Sequence, residues 1–583
     1  MVFLAVFLSA CSFGGNQADP SGAGSRCGDG VCDVNEQNNH RLCPQDCPAK
    51  PLDNTGKPGL KSEKRCGDGV CDELEKSKGI CPQDCSAAVS PDNTTPTSGG
   101  DAATNPPTET TVVASSGSPF GFHPGDTNNY SYLKDLGLSW SRDGMYWTWD
   151  WVDAKRDGNF KFKNATAPDR AGVSGSGVKI DYDSERLKVS TPSNVNLVVN
   201  ICPFKKGGEF KSEEEKNIYS SFVEKTVERY DGDDDLGCTQ SSPDCYNKGD
   251  NEYPAQELIT RFKSNPIKYW QTCNQVTDTC TADSCQHDYT VRYAEVQKLT
   301  YQAVKKANSS AQVLIAGDSG RDYYPGVFAQ LQGNYIDIVD FHRFGQENLY
   351  NPKSDFDYLK NSLKSSGFDL AKLKFWITET GTYSGAPVNR SGGHDPAQTE
   401  KQQARGLLKT YVSGLSYGIG KIFWAWGIVE GFSCDCCLFD YTGLIYDGNK
   451  ERNTNNCQLQ DKYDLGAGVK KLSYYTYKKM VAELGGYKSV ATIQEKDGVY
   501  VYKFSKESGA VYVAWNDNSA SKTVNITLDA GVQSAQAVSA VPKYGTGKEV
   551  TDYNNAFSTE TKAINNNSIS LEVSDVPVFV EVK

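Results

Sequence analysis

Ile267-Lys268-Tyr269-Trp270-Gln271-Thr272-Cys273-Asn274-Gln275 reads as a buried strand that ends in a polar pair. A second segment of the same texture, Lys374-Phe375-Trp376-Ile377-Thr378-Glu379-Thr380-Gly381, ends on a carboxylate. Working outward, six further short apolar runs repeat the pattern: Pro119–His123, Leu138–Arg142, Asn196–Ile201, Val313–Gly317, Ile336–His342 and Ile422–Trp426. Helical periodicity separates several of them, at Tyr130–Leu136, Tyr293–Ala307 and Thr399–Ser416. Short strands alternating with helices are the sequence form of a parallel α/β fold. Eight strands over roughly 360 residues predict a (β/α)8 TIM barrel with insertions, here spanning 118–485. The alternative, a doubly wound open sheet, lacks support because no glycine-rich phosphate loop follows the first strand.

The helical period stops near residue 486. Val499–Phe504, Ala510–Trp515, Val524–Leu528 and Val576–Val582 alternate apolar and polar residues, which predicts a C-terminal β-sandwich over 486–583. Upstream, Cys27-Gly28-Asp29-Gly30-Val31-Cys32-Asp33 closes with Cys43-Pro44-Gln45-Asp46-Cys47, and the pattern recurs from Cys66 to Cys85. These two repeats, 24–49 and 63–87, are too small to bury a core and need staples. Disulfide-rich knots fit best; calcium loops fit less well because the full EF-hand pattern is missing. Residues 88–117 are rich in Ser, Thr, Pro and Gly and are expected to be a disordered linker.

The chain starts with an apolar run ending Leu8-Ser9-Ala10-Cys11, which looks like a prokaryotic lipobox: a signal segment, 1–11, with Cys11 the lipidation site. The run is too short to cross a bilayer as a helix. A frayed apolar tail is the bland alternative. Nineteen Cys leave eighteen once Cys11 is set aside, an even number that suggests disulfides in an exported protein. Ten of them flank the barrel strand ends, among them Cys202, Cys238, Cys273 and Cys280. A zinc site at Cys434-Asp435-Cys436-Cys437 is the lesser reading of that cluster. The net charge of −12 argues against a nucleic-acid partner. The expected location is therefore the outer face of the cell membrane, through the lipid, or the extracellular space. No cofactor or metal is expected.

Barrel enzymes carry reactive groups at the C-terminal ends of their strands. The Asn274-Gln275 segment resembles the "strand then Asn-Glu" signature of clan A glycoside hydrolases, and Lys374–Gly381 is similar to the strand that delivers their nucleophile. Ser221–Tyr230 also looks like the helix before strand four in β-xylosidase-like members. The resemblance covers most of 119–485 and implies a retaining glycosidase acting on a β-linked oligo- or polysaccharide. It implies Glu379 as nucleophile, Asn274 on the sugar 2-hydroxyl, Arg142 supporting the nucleophile, His342 from a His-x-Tyr pattern, Trp424 and Trp426 as the aromatic floor, and His123 lining the pocket. Arg142 as a surface cation, and Trp424 and Trp426 as barrel packing, are the plain alternatives.

Two positions depart from the pattern. Gln275 stands where the acid/base Glu belongs, and Phe344 where the Tyr belongs. A retaining site needs two carboxyls about 5–5.5 Å apart. Gln keeps the shape and can donate an N–H, but it cannot release a proton near neutral pH. Asp278, Asp318 and Glu430 are the possible substitute acids. A barrel that kept its sugar groove and lost turnover, serving as a carbohydrate-binding surface lipoprotein, is the alternative function.

Overall fold

The computed structural model describes residues 110–125, 130–166, 179–185, 195–204, 208–232, 254–275, 287–385, 388–390, 393–431, 438–448 and 463–583. The lipobox, both cysteine repeats, Asp278 and the Cys434–Cys437 cluster lie outside them. No helix among the described residues is long and apolar enough to cross a membrane.

Eight parallel strands close into a barrel in chain order: β1 (Phe120–Gly125), β2 (Trp140–Thr148), β3 (Asn196–Cys202), β4 (Tyr269–Thr272), β5 (Gln312–Leu314), β6 (Ile338–Phe344), β7 (Lys374–Gly381) and β8 (Lys421–Trp424). Closure is made by β8 on β1, with Ile422 opposite Phe120 and Trp424 opposite Phe122. The expected barrel is present, and every expected strand overlaps an observed one. Helices such as Glu213–Tyr230, Tyr289–Ala307 and Glu400–Ser416 follow β3, β4 and β7.

Strand parity sorts the side chains. Phe120, Phe122, Val199, Trp270, Val339, Ile377, Ile422 and Trp424 join the main apolar core, together with residues of the surrounding helices. Trp140, Val198, Leu314, Ile338, Trp376 and Phe423 form a separate cluster that fills the barrel floor, with Tyr269 against it. Glycine at 121 is a packing requirement, because a Cβ there would meet the Phe423 ring at 2.5 Å. One step up the same strands come Arg142, Asn200, Gln271, Asp340 and Thr378, each fully buried. The barrel is therefore apolar at its floor and polar across its middle.

A seven-stranded antiparallel sheet, built mostly from residues after the barrel, carries the antiparallel strand pair of Lys522–Thr527 with Ser568–Val573 as the second layer of a sandwich. Alternation works as expected. Val499, Val501, Tyr512 and Ala514 face this strand pair, while Tyr502, Phe504, Val511, Val513 and Trp515 face the barrel core.

One expectation needs correction. Thr110–Val113 fall inside the stretch read as linker, yet they form an edge strand of this sheet, pairing antiparallel with Ser489–Thr492. Thr and Val are β-branched and suit a pleated edge; four such residues are too few to stand out in a Ser/Thr-rich tract.

Gly121→Val should overpack the floor against Phe423 and lower unfolding free energy by about 1–3 kcal/mol, read by denaturant titration. An unchanged transition would mean that the floor is not close-packed.

Candidate active site

The strand ends bring one carboxylate and a set of polar groups to the C-terminal mouth of the barrel. β7 pairs with β6 regularly through Trp376↔Asp340, then resumes at Glu379↔His342, so a bulge interrupts the ladder. A bulge puts two residues opposite one and re-aims the side chains beyond it. Here it lets consecutive residues, Thr378 and Glu379, both reach polar partners of the barrel interior.

Arg142 on β2 is the hub. Its Nη1 donates to Glu379 Oε1 at 2.5 Å, its Nη2 to Asn274 Oδ1 at 2.6 Å and its Nε to Gln271 Oε1 at 2.7 Å. Both members of the ion pair are fully buried. Guanidinium and carboxylate each carry a large desolvation cost, which this geometry offsets through charge-assisted bonds in one plane. Glu379 Oε2 is different: it accepts no hydrogen bond among the described residues and lies 3.4 Å from His342 Nδ1.

His123 closes the other side. Its Nε2 lies 3.2 Å from Arg142 Nη1, which can only donate, and its Nδ1 lies 3.0 Å from the Arg142 carbonyl, which can only accept. The ring is thus neutral, with the proton on Nδ1. Burial, then the Arg142 charge, hold its pKa well below the usual histidine value. Trp426 packs edge-to-face on this ring, centroids 4.4 Å apart. It follows a cis Ala425–Trp426 peptide.

Asn274 is held between two residues in the left-handed region, Cys273 at φ 59° and Gln275 at φ 38°. Each costs about 1–2 kcal/mol for a residue with a side chain. A disulfide joins Cys273 to Cys202 at the end of β3, one member of the cysteine set expected to stiffen these loops. The Gln275 N–H donates to the Gly317 carbonyl at 3.0 Å, which docks it on the β5 end. Asp318 comes next on that strand end, and its carbonyl accepts the His342 N–H at 3.0 Å. Burial raises the Asp318 carboxyl above the usual aspartate range, against the opposing pull of the Gly320 N–H and the His342 ring.

The structure thus brings together Glu379, Arg142, His123, Asn274, His342 and Trp426, with Gln275 and Asp318 on adjoining strand ends. Two expected residues are placed elsewhere. Trp424 has the parity of Ile422 and faces the helical layer, its indole N–H donating to the Thr442 carbonyl at 2.9 Å. The inward position on β8 belongs to Phe423. Glu430 is not available as a substitute acid, because its carboxylate is ion-paired to the buried ammonium of Lys471. Glu430, Asp447 and Asp464 do offer one carboxylate oxygen each within 4.8 Å of one another. Lys471 meets that charge on one side, and the Gly448 and Gly466 N–H groups donate to Asp464 on the other. Phe344 packs on Phe439, centroids 4.8 Å apart, and supplies no hydroxyl to Glu379. Gln271, Asp340 and Thr378 were not foreseen as site residues; their signal was a polar residue at an inward position of an otherwise apolar strand.

No known family model matches the chain, and no curated protein matches it. Among solved structures, it is similar to an α-L-arabinofuranosidase from Thermotoga maritima in an arabinose complex, with TM-score 0.51, 11% identity, and coverage of 82% of this chain and 100% of that one. A family 39 glycoside hydrolase from Bacteroides cellulosilyticus WH2 aligns at TM-score 0.49 and 14% identity, over 80% of this chain and 81% of that one. The catalytic domain of GH30 xylanase C from Talaromyces cellulolyticus aligns at 0.44 and 12%, over 82% and 99%. At such identities the likeness is one of fold alone: a (β/α)8 barrel with a C-terminal β-sandwich.

Arg142→Met leaves a buried, unpaired carboxylate and should cost about 3–5 kcal/mol near neutral pH. Arg142→Met/Glu379→Gln should unfold at higher denaturant than Arg142→Met alone; the reverse order would mean that the pair is not a buried unit.

Proposed function

We propose that the protein is a retaining-type glycoside hydrolase of the cell exterior, tethered through lipidated Cys11 and acting on a β-linked oligo- or polysaccharide. The observation that carries this reading is a carboxylate fixed by Arg142 at a barrel mouth, with one oxygen committed and the other, Oε2, accepting no hydrogen bond among the described residues. A nucleophile needs that asymmetry: the bonded oxygen orients the group while the second attacks the anomeric carbon. Asn274 and Trp426 supply a polar contact and an aromatic wall for the sugar.

Gln275 occupies the donor position, so the proton comes from Asp318. Its burial and its place on the next strand end support this role. In the first step Asp318 gives its proton to the departing glycosidic oxygen as Glu379 bonds to the sugar. In the second it takes a proton from the water that releases the sugar. Because only protonated Asp318 can start the cycle, kcat/KM should fall as pH rises through its raised pKa.

Glu379 is fully buried, so an anomeric carbon reaches Oε2 only after a rearrangement at the mouth. That burial, with Gln275 and Phe344, favours the second reading, a sugar-binding barrel without turnover.

A panel of aryl β-glycosides separates the two. Wild type should hydrolyse activated members, and Glu379→Gln should not. Asp318→Asn should lose roughly 10²–10⁴ in rate on substrates with poor leaving groups and lose the basic limb of the pH profile. Gln275→Glu should gain on the same substrates. Hydrolysis by Glu379→Gln at the wild-type rate would remove the nucleophile assignment. Sugar binding without any hydrolysis by wild type would favour the binding protein.

A further inference from the structure

We infer that Asp340 and Gln271 form a fixed hydrogen-bond relay that holds Arg142 in place against Glu379, with Asp340 a positioning residue at its far end. The inference rests on the glycosidase reading only for its activity readout.

Gln271 is fully buried, and its amide is fully used. Nε2 donates to Asp340 Oδ2 at 2.5 Å and to the Ile315 carbonyl at 3.3 Å. Oε1 accepts from Arg142 Nε at 2.7 Å and from Asn200 Nδ2 at 3.0 Å. An amide can face either way, and the partners decide which. All four partners agree here: Asp340 and the Ile315 carbonyl accept, so the Gln271 NH2 turns towards them, and Arg142 Nε and Asn200 Nδ2 donate, so the carbonyl oxygen turns towards Arg142.

Asp340 is itself locked. Oδ1 accepts the Thr378 N–H at 2.8 Å and Oδ2 the Thr378 hydroxyl at 2.5 Å. The nearest ring nitrogen, His342 Nε2, is 3.5 Å away. Gly317 leaves room for both groups, since a Cβ there would meet His342 Nε2 at 2.2 Å and Asp340 Oδ2 at 2.3 Å. Burying a carboxyl without a hydrogen-bonded cation is costly, and an apolar residue would pack the barrel at lower cost. What an apolar residue could not do is anchor Gln271 Nε2. Thr378 precedes Glu379, so the same carboxylate also ties down the bulge that aims the nucleophile.

Asp340→Asn is the sharp test. It keeps the shape, but its single carbonyl oxygen cannot serve the Thr378 N–H and the Gln271 NH2 together. One donor must meet another. Where the new NH2 meets Gln271 Nε2 it repels that amide, and Arg142 Nε, bonded to the same side chain, shifts with it. Around Glu379 the charged or titratable groups are Arg142 from β2, His123 from β1 and His342 from β6, with Asp340 and Asp318 beyond His342. Arg142 is the cation in contact, so its displacement makes Glu379 harder to ionise.

The acid limb of the kcat/KM profile should move to higher pH, and kcat should fall roughly tenfold or more with a smaller change in KM. Gln271→Met, which removes the relay but keeps the volume, should do the same. Infrared titration of the Glu379 carboxylate, taken as the difference from Glu379→Gln, reads the same shift without turnover. If wild type proves inactive, the glycosidase reading fails and the infrared shift alone decides this inference. An unchanged acid limb and an unchanged Glu379 titration in a folded Asp340→Asn or Gln271→Met would overturn it. So would loss of the fold in both variants, which would make the pair structural.

Discussion

The ion pair between Arg142 and Glu379 is the constraint around which the barrel is arranged. A guanidinium sealed inside a protein must have its N–H groups met, and its charge balanced, by groups that are themselves held. Glu379, Asn274 and Gln271 do this from β7, the end of β4 and β4 itself. His123 adds an acceptor nitrogen. Four strands are thus fixed relative to one another by one side chain, and the mouth inherits its shape from them.

The cost of that arrangement is visible in the section of the barrel below the mouth. A closed parallel barrel usually fills its interior with branched apolar residues. This one does so only at the floor, where Trp140, Trp376 and Phe423 pack on one another. Above them the interior is a hydrogen-bonded layer, worth less as hydrophobic burial and more as orientation. The large core between strands and helices carries the stability instead. The barrel-facing side of the sandwich sheet extends that core, through Tyr502, Val513 and Trp515.

Much of this was legible before any coordinates. Periodicity marked eight strands because each is a short apolar run bounded by polar turns, and the position of a residue at a strand end is nearly its position at the mouth. Arg142, Asn274 and Glu379 could therefore be assembled on paper. Direction was harder. Phe423 and Trp424 are neighbours, one of which must face in, and nothing local says which; the empty place left by Gly121 on the adjoining strand decides for Phe423. The bulge in β7 was invisible, since it depends on the ladder with β6 and not on Thr378 or Glu379 themselves. Glu430 looked free because Lys471, its partner, comes forty-one residues later. Gln271 and Asp340 were in view as strand residues, but only their meeting across the barrel gives them a task.

The covalent link between Cys202 and Cys273 encloses the whole excursion from the end of β3 to the end of β4, seventy-one residues in sequence. A cross-link over a loop of that length restricts the unfolded chain by about 4 kcal/mol in the chain-entropy account. It also changes what a protease can accomplish. A single cut anywhere between the two cysteines leaves the pieces joined, and a severed chain would come apart on a gel only after a thiol reductant has been added.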